Sequence, residues 1–112
     1  MRKVALAVIG PALLGAGLFA VMEAAQGPRR HVVEMRGFAF APAQLEVALG
    51  DTIVWVNRDA LPHTATAIDA TWDSGEMRAN ASWGRVAESA GTEDYICAYH
   101  PNMRGAVTVL AD

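Results

Sequence analysis

Three side chains that bind soft metal ions stand at intervals of three residues near the end of the chain. Cys97, His100 and Met103 offer a thiolate, an imidazole and a thioether, the donor types that Cu(I) and Cu(II) share. Pro101 and Gly105 permit bends, so one turning loop after a strand can converge all three donors on a single ion. Each residue alone is more often part of a core or a loop. Within seven residues, and with no other cysteine in the chain, they predict a site for one copper ion.

Such a site needs a second imidazole beside the thiolate, and the chain has only two further histidines. His63 follows a loop at the start of a candidate strand, where a ligand can be held at the end of a β-sandwich. His31 lies close to the loose start of the domain and is predicted to be an ordinary surface histidine. The predicted ligands are therefore His63, Cys97 and His100 in a plane, with Met103 as a weak axial ligand.

Short stretches separated by turn residues make up the rest of the domain. They recur about every ten residues, are rich in β-branched and aromatic side chains, and show no helical period. This pattern predicts an all-β fold, an antiparallel sandwich or barrel. The expected strands are residues 31–36, 44–48, 52–57, 63–68, 82–87, 93–97 and 106–110.

Large apolar side chains are expected to fill the space between the sheets. Trp72 and Trp83 are expected to stack on this core or seal its edge. The core candidates, none of them with a predicted functional role, are Phe38, Phe40, Leu45, Val47, Trp55, Ile96 and Val107.

The first quarter of the chain differs from the rest. Residues 4–22 carry no charged side chain and follow Arg2 and Lys3, a pattern typical of a secretory signal. The uncharged run also approaches the length of a membrane span. Residues 1–27 are therefore predicted to be a signal peptide or an apolar anchor helix. Residues 28–112 are predicted to be one domain in the periplasm or at the outer face of the membrane.

The charge balance argues against nucleic acid as a partner. Nine Lys or Arg stand against twelve Asp or Glu, a formal net charge of −3, and no basic stripe is present. The acidic groups occur singly or in small sets, which indicates a solvated surface, with a docking patch for a basic partner as the alternative. The single cysteine excludes a disulfide within the chain, and a monomeric domain is expected.

Four stretches of the chain resemble the cupredoxins, in particular their amicyanin and plastocyanin branch. They are residues 37–42 (Gly-Phe-Ala-Phe-Ala-Pro), residues 47–57 (Val-Ala-Leu-Gly-Asp-Thr-Ile-Val-Trp-Val-Asn), residues 62–63 (Pro-His) and residues 97–103. In the last stretch, the two residues between His100 and Met103 match the short loop of amicyanin. The resemblance covers roughly residues 33–110. It implies a Greek-key β-sandwich with one type 1 (blue) copper ion.

The resemblance also implies a function. Cupredoxins of this branch carry single electrons, so we expect a redox partner such as a cytochrome c, an oxidase or a dehydrogenase. No open coordination position and no general base are indicated, so the chain is not predicted to be an enzyme. In this family one imidazole usually emerges through an apolar patch, and His100 is its expected counterpart. The expected patch consists of Leu61, Pro62, Ala98, Tyr99, Pro101 and Met103.

Two positions depart from the family pattern. Thr64 stands where an Asn often follows the first His and ties the two ligand loops together, a role that the threonine hydroxyl could take over. Tyr99 stands where amicyanin-like loops commonly have Pro, so a backbone N–H is restored near the sulfur, which is expected to raise the reduction potential.

The alternative from another class is a periplasmic copper-binding or delivery protein. Such proteins favour exposed, exchangeable sites that are rich in Met or His. After the linker the chain has only Met35 and Met77 as further thioethers, which makes this the second choice. Blue colour with slow metal exchange would separate the electron carrier from the delivery protein.

Overall fold

The computed structural model describes residues 27–111. The predicted signal or anchor, residues 1–27, lies outside this part except for Gly27, and so does its uncharged run, residues 4–22. The described residues form strands, turns and loops, and they include no helix that could cross a membrane. The expectation of an all-β domain is therefore confirmed for residues 27–111.

Eight strands within the described residues form two four-stranded sheets. One sheet has the strand order β2-β1-β4-β6 and the other the order β3-β8-β7-β5. Buried residues of both sheets form one cluster. The strands are β1 (Arg30–Met35), β2 (Phe40–Ala41), β3 (Gln44–Ala48), β4 (Thr52–Asn57), β5 (Thr66–Ala67), β6 (Ser82–Val86), β7 (Gly91–Cys97) and β8 (His100–Leu110).

Two strand pairs are parallel, so the expectation of a purely antiparallel arrangement is wrong. β1 pairs in parallel with β4, and β3 pairs in parallel with β8. A crossover makes the β1–β4 pair parallel, because between these two strands the polypeptide passes through the opposite sheet as β3. The pairs β1–β2, β4–β6, β5–β7 and β7–β8 are antiparallel.

Strand boundaries agree with the prediction in β3 and β4, and depart from it at the end that carries the candidate ligands. The predicted strand 63–68 is wrong in extent, since only Thr66–Ala67 pairs with β7. His63 instead forms a single bridge with Met77, in the segment before β6. The backbone of this candidate ligand is therefore held by a loop segment and not by a sheet neighbour.

β7 and β8 form the hairpin that carries three of the four predicted ligands. Cys97 ends β7, and β8 begins at His100 instead of at residue 106, so the connecting turn is only residues 98–99. Cys97 pairs with His100 across the turn, and the register shifts between Ile96 and Cys97. Such a shift re-aims the side chains at the end of a strand.

An aromatic cluster anchors the hairpin in the core. The ring of Trp55 lies 5.4 Å from those of Trp72 and Tyr95, and 5.6 Å from that of Trp83. Trp72 belongs to the buried core cluster and Trp83 packs against it, which confirms the expectation for both residues, and their rings are stacked at 6.0 Å. Because Tyr95 lies two residues before Cys97, the cluster fixes the strand that delivers the sulfur.

The core prediction is wrong for one member. Phe38 is 46% exposed, because the chain turns there with a φ of 59° and breaks the alternation that buries Phe40. Leu45 and Ile96 are half-buried. The members that are buried as predicted are Phe40, Val47, Trp55 and Val107.

Candidate metal centre

Ligand atoms of His63, Cys97 and His100 converge, with one atom of each residue within 4.8 Å of the others. Sγ of Cys97 lies 3.8 Å from Nδ1 of His63 and 3.6 Å from Nδ1 of His100. A first-row metal ion, about 2.3 Å from sulfur and about 2.0 Å from nitrogen, would separate these atoms by about 3.7 Å in a trigonal plane. The three side chains therefore fit one metal ion of this size.

Cys97 is fully buried at the end of β7. Its sulfur accepts a hydrogen bond from the backbone N–H of Thr64 at 3.3 Å. A metal ion takes the thiolate form of cysteine, and an N–H directed at the sulfur stabilises the charge of that form. The surroundings of Cys97 therefore suit a metal-bound thiolate.

His63 is buried, and an acidic side chain sets the orientation of its ring. Nε2 of His63 lies 2.8 Å from Oδ2 of Asp59. The ring donates its proton to this carboxylate and turns an unprotonated Nδ1 toward Cys97. The backbone of His63 exchanges two hydrogen bonds with Met77. Asp59 is thus a site residue that the sequence analysis missed.

Asp59 also connects His63 with the turn before β2. Its carboxylate accepts hydrogen bonds from the backbone N–H groups of Gly37 at 2.7 Å and Phe38 at 2.8 Å. Burial raises the pKa of Asp59, but the hydrogen bonds from Phe38, His63 and Gly37 more than offset this effect and hold the pKa below its usual value. The ionised carboxylate therefore fixes the turn and the imidazole together.

The ring of Phe38 packs against both imidazoles. Its centroid lies 5.2 Å from that of His63 and 4.8 Å from that of His100, with interplanar angles of 84° and 76°. These are edge-to-face contacts, the geometry that aromatic rings prefer. Phe38 was predicted to be a core residue, and the structure instead assigns it to the cover of the site.

His100 is the more exposed of the two imidazoles. It is half-buried, and its ring is flanked by Phe38 and, at 6.5 Å, by Tyr99. The hydroxyl of Tyr99 donates to Glu76 at 2.8 Å, and this bond raises the pKa of Tyr99. Of the expected apolar patch, Leu61, Ala98, Tyr99 and Pro101 are exposed and Pro62 is half-buried.

Met103 is buried, at 3% exposure, in β8. Its membership of the expected surface patch is therefore wrong. It lies in the same buried cluster as Cys97, in surroundings that suit a weakly bound thioether. Its coordination to a metal stays a prediction.

Thr64 ties the two ligand-bearing segments together, which confirms the expectation for its hydroxyl. Oγ1 of Thr64 accepts a hydrogen bond from the N–H of Ala98 at 2.8 Å. The same residue donates its own N–H to the sulfur of Cys97. Because Thr64 follows His63 and Ala98 follows Cys97, one side chain sets the spacing of two candidate ligands.

His31 lies outside the site, in agreement with the sequence analysis, but it is not an ordinary surface histidine. Its Nε2 lies 2.8 Å from Oδ2 of Asp51, which is buried. Asp51 also accepts the N–H groups of Arg29 and Ala48. The bonds from Arg29, His31 and Ala48 lower the pKa of Asp51 to about 2.

The fold and the site together define a cupredoxin, and comparison with known proteins agrees. Residues 30–110 match the family of copper-binding proteins that comprises plastocyanin and azurin, and the chain belongs to this family. This is a family of copper-binding electron carriers and not of enzymes, which agrees with the prediction for this chain.

The relatives found include amicyanins. Amicyanin of Paracoccus denitrificans is 34% identical over 96 residues, which cover 81% of this chain and 72% of the relative. Amicyanin-alpha of Methylorubrum extorquens is 30% identical over 103 residues, or 88% of this chain and 85% of the relative. The Cu(I) form of an amicyanin variant is structurally similar, with a TM-score of 0.69 and 33% identity over 79% of this chain and 87% of that chain. The structure of a purple cupredoxin from Nitrosopumilus maritimus is also similar, with a TM-score of 0.68 and 26% identity. This match covers 71% of this chain and 99% of that chain.

Proposed function

We propose that the protein carries single electrons through one type 1 (blue) copper ion. The residues that would hold it are His63 and His100 through their imidazoles, Cys97 through its thiolate and Met103 through its thioether, as a weak donor. The observation that carries the proposal is the convergence of the sulfur and both Nδ1 atoms, at 3.6 and 3.8 Å. Two imidazoles, a thiolate and a weak thioether are the donor set of blue-copper electron-transfer sites. Copper, when bound, supplies the one-electron exchange.

The protein's part is to hold these donors so that they need not move when an electron arrives. Cys97 and His63 are fully buried. Asp59 orients one imidazole, and Phe38 packs against both. Donors held in one arrangement need little reorganisation between oxidation states, which favours fast electron exchange.

Electrons are proposed to enter and leave along the ring of His100. Phe38 and Tyr99 flank this ring and are 46% and 48% exposed, and Leu61 on the loop before His63 is 51% exposed. A partner can approach such apolar side chains without removing water from charged groups. We propose a redox protein as the partner, of the cytochrome c, oxidase or dehydrogenase class.

The same proposal extends to the organisation of the chain. Residues 28–112 form the copper domain, and residues 1–27 act as a signal peptide or membrane anchor that brings it to the periplasm. The uncharged run after Arg2 and Lys3 supports this assignment. The domain acts as a monomer.

Copper delivery is the less favoured function. Exchange between proteins is helped by exposed donors, whereas Cys97 and His63 are fully buried. The two further thioethers of the domain, Met35 and Met77, are buried as well, at 0% and 2% exposure. They offer no exposed route along which a copper ion could be passed on.

Stopped-flow mixing of the reduced, copper-loaded protein with an oxidised c-type cytochrome tests the proposal. We expect bimolecular electron transfer at about 10⁵ M⁻¹ s⁻¹ or faster, a rate typical of protein encounters. Copper should stay bound in the presence of an equimolar Cu(I) chelator. Slow electron transfer together with rapid loss of copper to the chelator would instead identify a delivery protein.

A further inference from the structure

A chain of hydrogen bonds runs from the candidate metal centre to an acidic side chain on the surface. The N–H of Ala98 donates to Oγ1 of Thr64 at 2.8 Å. Oγ1 of Thr64 lies 2.8 Å from Oγ1 of Thr66, which donates to Oδ1 of Asp73 at 2.8 Å. Thr64 is buried, Thr66 is half-buried and Asp73 is exposed. This series of hydrogen bonds thus leads from the residue after Cys97 to solvent.

The two ends of this chain fix the direction of every proton in it. A backbone N–H can only donate, so Thr64 accepts from Ala98. An ionised carboxylate can only accept, so Thr66 donates to Asp73. Thr66 must then accept the proton of Thr64. Hydrogen bonds aligned in one direction strengthen one another, and the charged end strengthens the series further.

The series acts on the candidate sulfur through Thr64. The hydroxyl of Thr64 is held between Ala98 and Thr66, and its N–H donates to Sγ of Cys97. A side chain fixed at both ends keeps this N–H directed at the sulfur. Hydrogen bonding around the cysteine sulfur is one of the factors that set the potential of a blue-copper site.

We propose that Thr66 and Asp73 are positioning residues that raise the reduction potential of the copper centre by holding Thr64 in place. This inference rests on the proposed copper function. An N–H directed at the sulfur stabilises the thiolate charge, weakens its donation to Cu(II) and thereby favours Cu(I). Neither side chain forms a hydrogen bond with a proposed ligand among the described residues, and both act through the hydroxyl of Thr64.

Thr66→Val removes the hydroxyl and keeps the branched shape. At a fixed applied potential, we expect the ratio of reduced to oxidised copper to fall about threefold, or about 30 mV at 59 mV per tenfold change. Thr66→Ser restores the hydroxyl and should restore the ratio. In the metal-free protein, exchange of the Ala98 amide hydrogen should become about threefold faster in Thr66→Val, because the bond to Thr64 is weakened.

Asp73→Ala is compared with Asp73→Asn, which removes the same charge from the same position and keeps an oxygen that can accept the hydrogen bond of Thr66. Loss of the charge raises the potential equally in both variants, so Asp73→Ala, which also loses the hydrogen bond, should have a lower potential than Asp73→Asn. Equal potentials in these two variants would overturn the role of Asp73.

An unchanged potential and unchanged Ala98 exchange in Thr66→Val would overturn the role of Thr66. Failure of Thr66→Ser to restore the potential would do the same. If Thr66→Val does not fold, the two Asp73 variants decide, since this carboxylate is exposed. Failure of the proposed function looks different, because the unaltered protein would then form no blue copper site at all.

Discussion

Replacing Asp59 with alanine should weaken metal binding at the candidate centre without replacing a proposed ligand. The carboxylate accepts three short hydrogen bonds, from Nε2 of His63 at 2.8 Å and from the N–H groups of Gly37 and Phe38 at 2.7 and 2.8 Å. Without it, His63 is free to choose the other tautomer, and the turn that carries the Phe38 ring loses its support. Both changes disturb the imidazoles before any metal binds.

The size of the effect follows from these bonds. Loss of the carboxylate partner of a metal-binding histidine typically lowers metal affinity about 10- to 100-fold. Hydrogen bonds to a charged group contribute about 1.5–3 kcal/mol each, and water replaces part of this because Asp59 keeps 14% of its side-chain surface exposed. We therefore expect a loss of unfolding free energy of about 1.5–3 kcal/mol, near the value of one such bond.

Competition titration with a Cu(I) chelator measures the affinity, and urea unfolding of the metal-free protein measures the stability. Asp69→Ala is the matched control, since this carboxylate also accepts a backbone N–H and a hydroxyl, both from Thr71, but contacts no candidate ligand. It should change copper affinity less than twofold. An Asp59→Ala variant with copper affinity within twofold of the unaltered protein would refute the role given to Asp59.

Three further predictions concern the axial position, the packing and the acid stability of the domain. Met103→Leu should raise the reduction potential, measured by voltammetry, because it removes a donor that favours Cu(II). Met103→Gln should lower the potential. Loss of copper from either variant would mean that Met103 is an essential ligand or a core residue. Gly105→Ala should lower the free energy of unfolding, measured with urea, by about 1–3 kcal/mol, because a methyl group there overlaps the buried ring of Tyr95. Gly84→Ala, whose added methyl group has its nearest contact at 3.4 Å, should be nearly neutral. The folded-state pKa of Asp51 lies below its ordinary value of 3.8, at about 2, so this group stabilises the fold above pH 4 and ceases to do so as pH falls from about 4 to 2. Urea midpoints should drop over this interval in the unaltered protein and less so in Asp51→Asn.

The convergence of Cys97 and His100 could be predicted because these two donors lie close together in the sequence. Cys97, His100 and Met103 lie within seven residues, so the donor types and their spacing are visible without the fold. β3 and β4 were predictable for a similar reason, because alternation and turn residues bound both strands. The parallel pairing of β3 with β8 was not, since it depends on a crossover between sheets and has no signal within either strand.

Asp59 and Phe38 were missed because their roles depend on contacts distant in the sequence. Asp59 bonds to Gly37, 22 residues earlier, and the two meet only because β1 lies beside β4. A carboxylate four residues before a histidine was the one local signal, and it is weak by itself. Phe38 and Phe40 are two residues apart, like neighbours on one face of a strand. The left-handed turn at residues 37–38 is what points their side chains in different directions.

The absorption spectrum of the Cu(II)-loaded protein tests the central claim most directly. A thiolate bound to Cu(II) between two imidazoles is expected to give a strong charge-transfer band in the orange-red. Cys97→Ser should abolish this band. His31→Ala, which removes a histidine outside the site, should leave the band unchanged. A band that survives Cys97→Ser, or one that disappears in a folded His31→Ala variant, would contradict the assignment of His63, Cys97 and His100 as the copper ligands.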